Sequence, residues 1–146
     1  MGTVRTIDIG GGSAISTAVM HLKAHAAHSK GDCTAVSFAA FHATTGLPYL
    51  TKAVASIEFD VIVVALDDVA INQVGRYAVS GVVDCLVDSG VAAGEILAAT
   101  AAAEDLQDAT SVTNAKILGR ALEAYSASAL SKVWFDGLHG IGHNEA

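Results

Sequence analysis

The segment from Phe59 to Leu66, with Val61-Ile62-Val63-Val64 at its centre, constrains the fold of this chain more than any other. Its apolar run is continuous, not alternating, and is too short for a membrane span. Such a run suits a strand covered on both faces, the situation of an interior strand in a parallel sheet. The rest of the chain is read around that strand.

Val4 to Ile9 predicts a first strand, stopped by Gly10-Gly11-Gly12. Ser13 then caps a helix to about Ser29, with Ile15, Val19, Leu22 and Ala26 on one face. Thr34 to Phe41 is a second strand, and Leu47-Pro48 opens a short helix that buries Val54 and Ile57. Beyond Asp67-Asp68, residues Arg76, Ser80, Asp84 and Asp88 recur every four positions, with Val82, Val83, Leu86 and Val87 between them. That spacing predicts a helix ending at Ser89-Gly90, and a strand over 82–87 is the competing reading. Ile96-Leu97 is either a further strand or part of an alanine-rich helix over 92–106. Leu118, Leu122, Tyr125, Ala129 and Val133 form the stripe of a last helix, capped by Thr113 or Asn114, before a glycine-rich tail over 137–146. The alternation predicts a single α/β domain over 1–146, a three-layer sandwich with a mainly parallel, flavodoxin-like central sheet of four or five strands. Ligands of that architecture bind at the carboxyl ends of the strands, here the loops Gly10–Ser13, His42–Gly46 and Asp67–Gln73.

With 146 residues the chain can bury a core without disulfide or metal staples. Hydrophobic residues make up 52% and charged residues only 16%, so some apolar surface is expected to disappear into a homo-oligomer interface. Fifteen acidic against eight basic residues, with no basic cluster, argue against nucleic acid and against an anionic membrane as partner. Cys33 and Cys85 form no CxxC motif and read as small core residues in a reducing compartment. No secretory leader, lipidation motif or run of roughly 18 apolar residues is visible, and a cytoplasmic location is expected.

Several residues are candidates for chemistry. Gly11, Gly12 and Ser13 lie where backbone amides and a helix N-terminus would meet an anion, and a tight turn explains them equally well. Asp67 and Asp68 sit at a strand end, where one carboxylate can face a pocket and the other can cap a helix. Asn72, Gln73 and Arg76 follow within reach of hydroxyls or phosphate. His42, at the mouth of the second strand, is the best-placed group for acid–base work. His21, His25 and His28 share one side of the first predicted helix, a face turned to solvent, so no metal is assigned; His139 and His143 in the tail are treated alike. No cofactor is called for.

The order of elements resembles that of 6,7-dimethyl-8-ribityllumazine synthase and archaeal-type riboflavin synthase. Leu47-Pro48, Lys52-Ala53-Val54-Ala55 and Phe59-Asp60-Val61-Ile62-Val63 are similar to a helix and strand of that family, and 114–130 to its final helix. The resemblance implies condensation of an aminopyrimidine with a four-carbon sugar phosphate. Thr44, Thr45, Asn72 and Gln73 would hold a polyol or phosphate, Arg76 would supply positive charge, and the assembly would be a homopentamer or larger shell. The family's stacking aromatic, its loop glutamate and its catalytic histidine have no counterparts near Gly12, at His42–Gly46 or over 70–76. A second resemblance, of 113–134 and 140–143 to type B ribose-5-phosphate isomerase, implies a sugar-phosphate isomerase. A third reading, a non-catalytic oligomeric assembly or shell protein, follows from the missing catalytic residues.

Overall fold

The computed structural model describes residues 17–24, 26–41, 48–52, 61–88, 90–99, 105–111, 115–124, 129–137 and 142–144. Over these residues the chain is built from strands: β1 (Ala18–Lys23), β2 (Cys33–Phe41), β3 (Pro48–Lys52), β4 (Val61–Ala65), β5 (Val74–Val87), β6 (Ile96–Ala99), β7 (Leu106–Asp108), β8 (Ala115–Ile117), β9 (Gly119–Ala121), β10 (Ala129–Asp136) and β11 (Gly142–Asn144). One 3-10 turn, Ala109–Ser111, is the sole helical segment among the described residues. The α/β three-layer sandwich with a parallel sheet is therefore replaced by an all-β architecture.

β5 organises it. The first half of this 14-residue strand pairs antiparallel with β1 and β4, and the second half with β10. Between the halves Gly81 takes φ 119°, a conformation that L side chains rarely adopt, so glycine lets the strand change direction without a break. From the second half a ring closes: β10 pairs β9, β9 pairs β6, β6 pairs β7, and β7 returns to β5 in a short parallel contact at Val87 and Leu106. This is a five-stranded barrel, and closure removes free edges that would otherwise recruit other strands. From the first half the sheet runs outward through β4 and β2 to β3, all antiparallel. β8 and β11 form a separate two-stranded ribbon, so part of the tail is paired.

β4 is buried at every position, as a strand covered on both faces must be. Its cover comes from two buried clusters drawn mainly from strand residues, not from helices. Ile62 and Val64 face the barrel interior with Cys33, Ala35, Val83, Val133 and Phe135. Val61, Val63 and Ala65 face a second core with Leu22, Val36, Leu50, Tyr77 and Val79. The neighbours of β4 are antiparallel, which corrects the parallel expectation.

The other corrections share one physical reason. Positions four apart lie on one side of a helix, but they also lie on one side of a strand, whose period is two. Val82, Asp84 and Leu86 point outward while Val83, Cys85 and Val87 are buried, so the expected helix over this stretch is the second half of β5 and the competing strand reading is correct. In β10, Ser131, Val133 and Phe135 are buried, and Leu130, Lys132 and Trp134 are exposed, which replaces the end of the expected last helix. The expected first helix contains β1, the short helix at Pro48 begins as β3, and the alanine-rich stretch holds β6 and β7. The first predicted strand lies outside the described residues.

Candidate functional site

A cleft of about 310 Å³ lies where β5 changes partners. Leu66 and Val82 supply apolar walls, and Lys30, Arg76, Asp84 and Lys132 supply charge. Three elements bring these groups together: the 29–32 turn, β5, and β10 beside it. Asp84 takes both ammonium groups, Lys132 at 3.2 Å and Lys30 at 3.4 Å. Burial works to raise the Asp84 carboxyl, but Lys132 and then Lys30 outweigh it, and its pKa lies below the ordinary value. Arg76 grips Asp67 with two bonds, Nε to Oδ2 at 2.8 Å and Nη2 to Oδ1 at 2.9 Å. Those bonds hold the Asp67 carboxyl below the usual range.

Of the residues singled out in the sequence, Asp67 and Arg76 are joined directly, because the loop after β4 returns antiparallel into β5. Asp68 faces elsewhere and accepts the Lys30 amide at 2.8 Å. Asn72 and Gln73 are exposed in the turn before β5, Asn72 with φ 66°, and they do not line the cleft. Gly11, Gly12, Ser13, His42, Thr44 and Thr45 lie outside the described residues. Sequence reasoning missed Lys30 and Lys132 as partners of Asp84, since they come from segments far apart in the chain and belong to no motif.

The histidine row is also rearranged. His21 is exposed on β1 and His28 is buried behind β5, where its Nδ1 lies 3.0 Å from the Tyr77 hydroxyl and the rings meet edge to face; His25 lies outside the described residues. Burial lowers the His28 pKa, partly opposed by Asp32. A histidine whose folded pKa lies below its unfolded value near 6.5 leaves stability intact above about pH 6.5 and erodes it as pH falls through that point, because the unfolded chain binds the proton first. The urea midpoint should therefore fall between pH 7.5 and pH 5.5, and His28→Gln should flatten that dependence. Equal slopes in the two chains would refute this.

The second feature is the outer face of the strands β5, β10 and β9. Trp134 sits in the middle of β10, 52% exposed, with Val82 across from it on β5 and Arg120 on β9. Lys132, one outward position away, pairs with Asp84, and the Leu122 amide donates to its carbonyl at 3.0 Å. Leu130 and Leu86 form the next row, and Leu122 and Leu130 are both exposed. Apolar and charged groups thus interleave across one surface. No period-two pattern of residue types over 129–136 announces this face; the alternation is one of burial.

No protein-family model matches the chain, and no curated protein matches it. The function is therefore read from these two features. Among the described residues no helix is long and apolar enough to cross a membrane, and no three His, Cys, Asp or Glu side chains gather as a metal site would require.

Proposed function

We propose that the chain is a structural assembly module that associates with further copies of itself through the outer face of β5, β10 and β9. Exposed Trp134 carries this reading. A large aromatic at the centre of a paired sheet gains little from water, and aromatic and arginine side chains are those that anchor interfaces. The face holds both signs of charge, Asp84 beside Lys132 and Arg120, as a surface that meets its own copy needs. Thinly charged composition supports the same conclusion.

Native mass spectrometry tests it. The wild-type chain should appear as a multiple of the monomer, and Trp134→Ser should weaken association by about 30-fold or more, the scale of a central aromatic anchor. Its circular dichroism should not change, because the side chain faces outward. A wild-type chain that is monomeric at every accessible concentration would sink the proposal.

The sugar-phosphate chemistry implied by the resemblances is a second reading, favoured by Lys30, Arg76 and Lys132 lining one cleft, where a phosphate would compete with Asp84 and Asp67 for them. In that reading Lys30, Arg76 and Lys132 would bind the phosphate. Titration with ribose 5-phosphate, followed by amide shifts at these residues, separates the two readings.

A further inference from the structure

Cys33 opens β2, and Cys85 lies in the second half of β5. Both are free thiols, both are wholly buried, and both belong to the barrel core. The segment just before Cys33 runs beside β5: the Leu86 amide donates to the Gly31 carbonyl at 2.9 Å, and a Cβ on Gly31 would stand 3.2 Å from the Leu86 nitrogen. That close approach sets the two cysteine-bearing segments side by side, and both side chains lie in one buried cluster, with Cys85 Sγ 3.6 Å from the Leu86 carbonyl.

We propose that Cys33 and Cys85 are a latent intramolecular disulfide, a site of oxidative cross-linking that clamps the 31–33 segment to β5. The oxidant is a small-molecule disulfide of the glutathione class. One cysteine thiolate attacks it, forming a mixed disulfide and releasing one small thiol. The second cysteine thiolate then attacks the protein-side sulfur, closing the bridge and releasing the second small thiol. Two protein thiols are oxidised, one small disulfide is reduced to two thiols, and the two protons leave with them. In the closed fold the Cys33 contact, and then burial, hold the Cys85 thiol well above the ordinary range, so attack from within the core is slow. Exchange belongs to the folding chain or to local opening, and a bridge formed there is shielded from reductants once the barrel closes.

The test is oxidative refolding of the full chain in mixed reduced and oxidised glutathione, read by intact mass and by a non-reducing digest. The chain has two cysteines, so an intramolecular bridge has a single possible pairing. The expected product is a monomer lighter by two hydrogens, with Cys33 and Cys85 peptides joined until reduction. Its thermal midpoint should rise by about 10 °C, the scale for a bridge closing a loop of this length. Cys85→Ala should show no such mass loss and should carry a glutathione adduct on Cys33. Incubating the folded protein in the same buffer should give the same bridged product, formed more slowly because it needs local opening. Full alkylation of both cysteines after oxidation, one glutathione on each, or bridges only between chains would overturn the proposal.

Discussion

Replacing Gly137 by alanine is expected to cost about 3 kcal/mol or more of folding free energy, measured as a drop in the guanidinium midpoint. Gly137 follows β10 and lies directly on β4. Its amide donates to Val79 at 2.8 Å, and its carbonyl accepts from Ile62 at 2.9 Å. A Cβ built there would stand 1.8 Å from the Ile62 carbonyl oxygen and 2.6 Å from the Phe135 ring. The first obstacle is backbone at the centre of a fully buried strand, so no side-chain rotation can relieve it. The strands must separate and surrender at least one of the two bonds. Gly90→Ala provides the contrast: Gly90 has φ 86° and nothing within 4 Å, so alanine meets only the left-handed backbone penalty of about 1 kcal/mol. Equal losses at the two sites would show that the approach at Gly137 is not as tight as described.

Tyr77→Ala should cost about 4 kcal/mol, within the range for emptying an aromatic site in a packed core. Tyr77 is among the largest wholly buried side chains, and it stands in β5 at the heart of the second core. Truncation leaves a cavity and also strips the buried His28 ring of its hydroxyl partner. Tyr77→Phe isolates the second effect, about 1–2 kcal/mol, because it keeps the ring and removes one oxygen. Chemical denaturation of both variants at pH 7.5, where His28 is neutral in either state, makes the two losses directly comparable. A Tyr77→Ala chain no less stable than Tyr77→Phe would contradict the packing.

These two sites show what could be read from the chain and what could not. The strand at Val61–Ala65 was legible because four consecutive β-branched residues have few alternatives, and its complete burial follows from the absence of any polar face. What covered it was not legible. Two all-β cores and two layers of helices impose the same apolar run on the strand between them. The four-residue recurrence of Arg76, Ser80, Asp84 and Asp88 misled for a plainer reason, since it satisfies both regular periods; the valines around it were the better guide. The ion pair of Asp67 and Arg76 was within reach, because both flank one reversal of the chain. Lys30, Asp84 and Lys132 meet only through the pairing of distant strands, which no local pattern announces. Trp134 was hidden because Val133-Trp134-Phe135 is a continuous apolar run, and only the pairing of β10 shows which of the three faces outward.

The ring of strands has an order of completion. β10 is the stave between β5 and β9, so the barrel cannot shut until residues 129–136 leave the ribosome, long after β5 has emerged. Until then the long middle strand offers a bare edge and half a greasy interior to whatever is nearby. A nascent chain of this kind depends on late arrivals, and crowding of polysomes or stalling between 88 and 129 is the moment of greatest hazard for it.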